Sequence, residues 1–192
     1  MQETTKKLIV IGSSAGGLSA LKGALSALPS DFPVPILVVQ HMLATADDLF
    51  IQLLQKDCHL KVQFAKNGYL PEANNIYVAA PDYHLRLDSS GVMMLSQDDL
   101  VAFSRPSIDV LFKSACLQKN TQITAIVLSG SNSDGSLGAK AIKEKGGTVI
   151  VQSPESAHEP VMPQAVIDLF DVDEIIWRDQ ISSYLWDKFH RP

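Results

Sequence analysis

Continuous apolar runs and helix-spaced apolar residues take turns along the N-terminal part of the chain. Residues 8–11 are all apolar, leucines recur at helical spacing between residues 18 and 28, and residues 36–39 form another apolar run. Such runs are typical of strands buried on both faces of a parallel sheet, whereas the leucine spacing marks one face of a helix. The pattern therefore predicts a strand, a helix and a second, parallel strand.

The middle of the chain departs from this pattern. Thr45 predicts the N-cap of a second helix, with Leu49, Leu53 and Leu54 on its inner face. Between residues 60 and 95, short alternating segments are separated by turn residues such as those at Asn67, which is typical of short strands and hairpins. We therefore expect a β-hairpin region inserted into the fold.

Alternating strand and helix patterns return in the second half of the chain, where Ser107 predicts the N-cap of a helix. The later elements are expected to be strands over residues 123–128, 148–151 and 174–177, helices over residues 136–145 and 163–169, and a final helix that is capped by Asp179 and contains Ile181 and Phe189. The whole pattern predicts an α/β fold with three α/β/α layers and a doubly wound, mostly parallel sheet. We expect one domain over residues 1–192.

Composition and charge exclude several classes of protein. With 46% hydrophobic and 19% charged residues, the chain resembles a soluble globular domain. Its net charge of −5, without basic clusters, argues against a nucleic-acid partner. No apolar run approaches the roughly 20 residues that span a bilayer, and the N-terminal run is too short for a signal peptide. Cys58 and Cys116 lack metal-ligand spacing, so we expect reduced thiols in a cytoplasmic protein without membrane insertion.

The loop from Gly12 to Gly17 is the first candidate for chemistry, because ligands bind at the carboxyl ends of strands in open α/β sheets. A dinucleotide-binding loop would need a glycine where this chain has Ser14. It would also need an acidic residue at the end of the next strand, where this chain has Gln40. The Gly-x-Ser-x-Gly pattern around Ser14 instead fits a nucleophile placed between a strand and a helix N-terminus. A glycine-rich turn with an idle serine is the structural alternative.

A nucleophilic serine needs a general base and an acid that orients the base. His41 directly follows the next predicted strand, and His158 lies in a later loop at the same edge of the sheet. The residues alone leave both as candidate bases. His59, His84 and His190 are expected at the surface.

Asp134 lies at the end of a polar loop, just before a predicted helix. It is either a helix cap or the third member of a catalytic triad. The resulting chain order of serine, histidine and aspartate differs from the serine, aspartate, histidine order of α/β-hydrolases, so a different family is implied.

Several motifs, all in the same order along the chain, carry a family resemblance. They are Ile11 to Gly17, Val39 to Met42, Ile76 to Pro81, Arg105 to Phe112, Leu128 to Gly135, and Met162-Pro163. Together they resemble the catalytic domain of the chemotaxis protein-glutamate methylesterases, the CheB family, over nearly the whole chain.

The resemblance implies a serine hydrolase with Ser14 as nucleophile, His41 as general base and Asp134 as the orienting acid, without a metal or cofactor. It selects His41 over His158 as the base. The implied substrates are glutamate methyl esters of a chemoreceptor or receptor-like protein, and deamidation of receptor glutamines is an implied second activity.

The chain departs from the family pattern near the expected oxyanion site. Ala15 stands where the family usually has threonine, and Ser131 and Asn132 stand where it usually has methionine and glycine. We expect the Ala15 N–H group and Ser131 to contribute to oxyanion or substrate binding. The family's receiver domain has no counterpart in the sequence, so a receiver protein acting in trans is a candidate partner.

Two alternative functions remain open at the level of the sequence. The same triad could act on another ester or amide in a signalling system outside chemotaxis, or the fold could be a catalytically idle module that binds a signalling partner. The presence of Ser14, His41 and Asp134 together argues against the idle module, because no structural requirement places all three at strand ends.

Overall fold

The computed structural model describes residues 5–190, within which a seven-stranded sheet forms the centre of the molecule. Its strands, in chain order, are β1 (Lys6–Ser13), β2 (Ile36–Gln40), β3 (Lys61–Phe64), β4 (Asn75–Val78), β7 (Thr121–Val127), β8 (Thr148–Gln152) and β9 (Glu174–Ile176). They are ordered β3-β4-β2-β1-β7-β8-β9, and all the pairs are parallel. The other two strands, β5 (His84–Leu87) and β6 (Met93–Ser96), form a separate antiparallel hairpin, as predicted.

Helices cover both faces of this sheet. They are α1 (Gly17–Leu25), α2 (Leu49–Gln55), α3 (Ile108–Ala115), α4 (Ser136–Glu144), α5 (Val161–Ile167) and α6 (Ile181–His190). Short 3-10 turns at Pro154–Ser156 and Arg178–Gln180 complete the connections. Within the described part of the chain, no helix is long and apolar enough to cross a membrane.

The apolar run in β1 supplies both halves of the core because successive side chains of a strand point to opposite faces. Ile9 and Ile11 join the core cluster that contains residues of α1 and α6, whereas Leu8 and Val10 join the cluster formed with α3, α4 and α5. All four side chains are at most 4% exposed. The predicted three-layer α/β/α architecture is confirmed.

The order of the strands reverses at β1. The chain runs from β1 to its neighbour β2 on one side, and β7 lies on the other side of β1. The register pairs Ser13 with Gln40 and Gly12 with Val127. The loops that follow these three strands therefore meet at one edge, at the kind of switch point where open α/β sheets bind ligands.

The prediction that residues 60–95 form only short inserted strands and hairpins is wrong for its first half. The strands β3 and β4 extend the parallel sheet, and only β5 and β6 form a hairpin. The alternation that suggested a hairpin has a physical cause. The strand β3 lies at one edge of the sheet, and along it Lys61 faces solvent whereas Val62 is buried.

The second helix begins later than predicted. Its first residue is Leu49 rather than one following Thr45, and the N–H of Leu49 donates to the Asp47 carboxylate at 3.0 Å. Leu49 is 53% exposed and Leu53 is half-buried, so only Leu54 of the three expected inner residues is fully buried. The Asp47 carboxylate, rather than the Thr45 hydroxyl, therefore accepts the N–H of the first residue of α2.

Both cysteines are free thiols, as predicted. Burial is the main cause that raises the pKa of the Cys58 thiol, to about 11, and the nearby Asp57 carboxylate raises it further. A thiol with such a pKa is protonated at neutral pH and packs as a small apolar side chain.

Candidate active site

Ser14 and His41 lie at neighbouring strand ends because the strands that precede them are paired. Ser13 of β1 is paired with Gln40 of β2, and Ser14 and His41 are the residues that directly follow this pair. The N–H of His41 donates to the carbonyl of Ser13 at 3.0 Å, and the N–H of Ser14 donates to the carbonyl of Ser129 at 2.9 Å. The loops after β1, β2 and β7 are thus joined through their backbones.

The His41 ring is held by Asp134, which lies in the loop after β7. The Nε2 atom of His41 donates to Oδ2 of Asp134 at 2.8 Å. The histidine side chain is 12% exposed and the aspartate side chain is fully buried. With Nε2 engaged in this way, Nδ1 is the ring nitrogen left to accept a proton.

Asn132 braces the same ring. Its Nδ2 atom lies 3.5 Å from Nδ1 of His41, and its Oδ1 atom accepts the N–H of Asp134 at 3.1 Å. A side-chain amide therefore lies beside Nδ1, the ring nitrogen that does not contact Asp134.

The Asp134 carboxylate also caps a helix, but not the helix that follows it. Its Oδ1 atom accepts the Ser107 hydroxyl at 2.9 Å and the N–H of Asp109 at 3.1 Å, and its Oδ2 atom accepts the N–H of Ile108 at 2.7 Å. These N–H groups belong to the first turn of α3. Capping and histidine orientation, which the sequence presented as alternatives, are combined in this carboxylate.

Ser107 precedes α3 as predicted, but its side chain does not cap the helix. Its hydroxyl donates to Asp134 instead. Ser107 therefore occupies the N-cap position, as predicted, but the expected capping bond from its side chain is wrong. The Asp134 carboxylate, which belongs to a distant loop, accepts the N–H groups that a serine cap would bind.

The hydrogen bonds around Asp134 keep its carboxyl group ionised. Burial alone would raise the pKa of this group, but donors from His41, Ile108, Asp109 and Ser107 hold the pKa below the ordinary value of 3.8. The N-terminal end of the α3 dipole favours the negative charge as well. A proton taken up by His41 is therefore not passed on to Asp134 at neutral pH.

A stability difference in acid should follow from this lowered pKa. The stabilisation from a carboxyl group whose pKa is depressed on folding is present above the unfolded pKa, about 3.8, and is lost as the pH falls through the folded value. We expect the wild type to lose part of its free energy of unfolding below about pH 4, and the Asp134→Asn variant to lose less over the same interval. Urea unfolding at a series of pH values measures the difference, and parallel curves for the two proteins would contradict it.

Gln40 fixes the loop that carries Ser14. Its Nε2 atom donates to the carbonyls of Ser14 and His41, each at 2.9 Å, and its Oε1 atom accepts the Ser13 hydroxyl at 2.8 Å. From the sequence, Gln40 served only to exclude a dinucleotide site, so this role was missed. A polar residue at the end of a fully apolar, buried strand was the available signal.

The Ser14 hydroxyl itself is open to a reactant. Among residues 5–190 it makes no hydrogen bond, and the side chain is half-buried. Within the same described range, the N–H of Ala15 is not paired either. Ala15 and Ser131, the two residues expected at the oxyanion or substrate site, are both exposed at this edge of the sheet.

Gly16 permits the sharp turn after Ser14. Its φ of +76° is left-handed, and a Cβ atom here would lie 2.8 Å from Oγ of Ser129 and 2.7 Å from Cβ of His158. We expect Gly16→Ala to destabilise the fold by about 2–5 kcal/mol, the sum of a backbone cost and overpacking. Gly146→Ala is the matched control, because Gly146 has φ +81° with nothing within 4 Å and carries the backbone cost alone.

Equal losses in the free energy of unfolding for Gly16→Ala and Gly146→Ala, measured by urea unfolding, would show that crowding against Ser129 and His158 has no effect on stability. A larger loss for Gly16→Ala would measure how tightly the loop that carries Ser14 is packed.

The other histidines separate into three situations. The His158 side chain is 75% exposed and lies over Gly16, beside the Ser14 loop but outside the hydrogen bonds of Asp134. His59 and His190 are exposed, as predicted. The prediction for His84 is wrong, because this residue is only 1% exposed and packs as the first residue of β5 against the start of α3.

No group of three or more histidine, cysteine, aspartate or glutamate side chains suited to a metal ion occurs in the part of the chain that the structure describes.

Comparison with known proteins decides the family. The sequence model of the CheB methylesterase family matches residues 9–185. The chain belongs to the CheB methylesterase family. Its sequence-based resemblance to that family is therefore confirmed.

Relatives within the CheB family cover nearly all of this chain. One from Leptospira interrogans is 40% identical over 175 residues, which are 91% of each protein. The protein-glutamate methylesterase/protein-glutamine glutaminase of Nitrosospira multiformis is 36% identical over 179 residues, which are 93% of this chain and 50% of that protein. The chain thus spans nearly the full length of the first relative and half of the second.

A solved structure shows the same CheB fold. The catalytic domain of the Thermotoga maritima CheB methylesterase is 32% identical in sequence and superposes with a TM-score of 0.89 over 95% of this chain and 98% of that domain. The fold class predicted from the sequence therefore agrees with a known CheB catalytic domain.

Proposed function

We propose that this CheB-family hydrolase removes methyl esters from glutamate side chains of a protein and deamidates glutamine side chains at the same site. Ser14 is the nucleophile, His41 the general base and Asp134 the acid that orients His41. The observation that carries the proposal is the 2.8 Å hydrogen bond between His41 and the buried Asp134, at the strand end next to Ser14. The names of the relatives and their catalytic-domain fold support the choice of substrate.

The proposed reaction proceeds through an ester of Ser14. The Ser14 Oγ atom attacks the carbonyl carbon of the glutamyl methyl ester while its proton passes to Nδ1 of His41. His41 then returns the proton to the leaving oxygen, which departs as methanol. Water attacks the acyl-enzyme with the same base, and this releases glutamate and restores the Ser14 hydroxyl.

The oxyanion formed in both steps lies next to the start of α1. The unpaired N–H of Ala15 is its proposed donor, and Ser131 contributes from the facing loop. The N-terminal end of the α1 dipole also favours negative charge at this place. With a glutamine substrate, ammonia leaves in place of methanol.

The biological setting belongs to the same proposal. We expect the substrate to be a methylated chemoreceptor or receptor-like protein, and a receiver protein in trans is a proposed regulatory partner. The proposed catalytic domain covers residues 1–192 and acts in the cytoplasm.

Mass spectrometry of the receptor tests the substrate. A methylated receptor is incubated with the purified protein and digested, and each methyl-accepting site is examined for glutamyl methyl ester, glutamine and glutamate. Conversion of both ester and glutamine to glutamate supports the proposal. Unchanged receptor peptides, together with hydrolysis of a small unrelated ester, would contradict it.

A further inference from the structure

Hydrogen bonds continue beyond the triad into the protein interior. The Ser107 hydroxyl donates to Oδ1 of Asp134 at 2.9 Å, on the oxygen that does not bind His41. The N–H of Ser107 donates to Nδ1 of His84 at 3.2 Å, and Nε2 of His84 donates to the carbonyl of Asp99 at 3.0 Å. Ser107 and His84 are at most 1% exposed.

The orientation of His84 follows from these contacts. Nε2 faces a carbonyl, which can only accept, so this nitrogen carries the hydrogen. Nδ1 then presents its lone pair to the Ser107 N–H. His84 therefore fixes the backbone of Ser107 at the entry to α3, and the hydroxyl of Ser107 is aimed at Asp134.

The hydroxyl of Ser107 restrains rotation of the Asp134 carboxylate. Together with the Asp109 N–H, this hydroxyl holds Oδ1 in place, so that Oδ2 stays directed at His41. The N–H groups of Ile108 and Asp109 also bind the carboxylate, but Ser107 supplies its one side-chain donor besides His41 within the described residues. Hydrogen bonds in a buried network polarise one another, so the bond from Ser107 also affects the bond between Asp134 and His41.

We propose that Ser107 is a positioning residue for the reaction, which holds the Asp134 carboxylate toward His41, and that His84 holds Ser107 in place. The proposal rests on the proposed function only in treating His41 as the base. The hydrogen-bond geometry on which it depends is independent of the substrate.

Ser107→Ala is the direct test. Loss of one hydrogen bond to a charged group should lower kcat by about tenfold to a hundredfold with KM unchanged. The downfield proton NMR signal of Nε2–H in His41 should shift or broaden, because this proton reports on its contact with Asp134.

Ser114→Ala, in the helix that Ser107 precedes, is the matched control. Its hydroxyl donates to the carbonyl of Leu111 at 2.8 Å and accepts the N–H of Leu87 at 3.0 Å, without touching Asp134. It should leave kcat and the His41 signal unchanged. Wild-type kcat and signal in Ser107→Ala, or equal losses in Ser114→Ala, would overturn the positioning role.

Two further comparisons keep the test decisive if alanine at this buried position prevents folding. Ser107→Cys keeps nearly the same volume with a weak donor and should also lower kcat, so full activity in this variant would overturn the proposal. His84→Asn, whose Oδ1 atom can accept the Ser107 N–H, should retain more kcat than His84→Leu. Equal kcat values in these two variants would overturn the role of His84.

The NMR signal separates this proposal from the proposed function. A wild type without methylesterase activity, whose His41 signal nevertheless moves in Ser107→Ala, would refute the function and support the positioning role. An active wild type whose signal is the same in Ser107→Ala would refute the positioning role alone.

Discussion

Ser14→Ala and His41→Ala should each lower kcat for ester hydrolysis by up to about a million-fold, and the double variant should be hardly worse than either. The reason is that the serine oxygen and the imidazole act as one unit. Without Nδ1 of His41 the hydroxyl keeps its proton, and without the hydroxyl the base has no nucleophile to activate. The measurement is kcat for the two single variants and the double variant on a methylated receptor peptide.

Two neighbouring serines serve as controls for this series. Ser19, exposed on α1, donates no bond to the triad, and Ser19→Ala should keep wild-type activity. Ser13→Ala removes a buried hydrogen bond to Gln40 and should have a mild effect. If Ser13→Ala were the inactive variant and Ser14→Ala active, the nucleophile would be assigned one residue too late. Multiplying losses in the double variant would show that Ser14 and His41 act separately.

Asp134→Asn should lower kcat by up to about ten-thousand-fold, the size found when a triad acid no longer fixes the tautomer of its histidine. The structure adds a second effect. An amide group offers donors to the N–H groups of α3 and to the Ser107 hydroxyl, which all need acceptors. We therefore also expect a loss of about 1–3 kcal/mol in the free energy of unfolding.

Asp109→Asn separates the two effects of the Asp134 substitution. The Asp109 carboxylate is also buried and accepts a helix N–H, that of Gly138 at 2.7 Å, but it does not contact His41. This variant should lose stability and keep most of its kcat per folded molecule. An Asp134→Asn protein that unfolds more easily yet turns over normally when folded would reduce Asp134 to a helix cap.

The positions of Ser14, His41 and Asp134 along the sheet could be predicted because they depend on local patterns. Each follows a continuous apolar run, and parallel strands bring their carboxyl ends to one edge. Because β2 and β7 lie on either side of β1, the loops after these three strands meet, even though their residues are far apart in the chain.

The environment of Asp134 could not be predicted because it depends on packing between distant segments. The sequence offers Ser107 as a local cap for α3, and nothing local indicates that a carboxylate after β7 takes those N–H groups. The burial of His84 depends in the same way on how β5 packs against α3. For the edge strand β3, solvent on one side produces the same alternation as a hairpin, so pattern alone assigns it to the wrong element.

Methanol release from methylated receptor membranes tests the central claim most directly, when wild type, Ser14→Ala and Ser19→Ala are compared at equal concentrations of folded protein. We predict sustained release by the wild type and Ser19→Ala, with no release above background by Ser14→Ala. Release by Ser14→Ala at the wild-type rate would contradict the assignment of Ser14 as the nucleophile, and no release by any of the three would contradict the methylesterase activity itself.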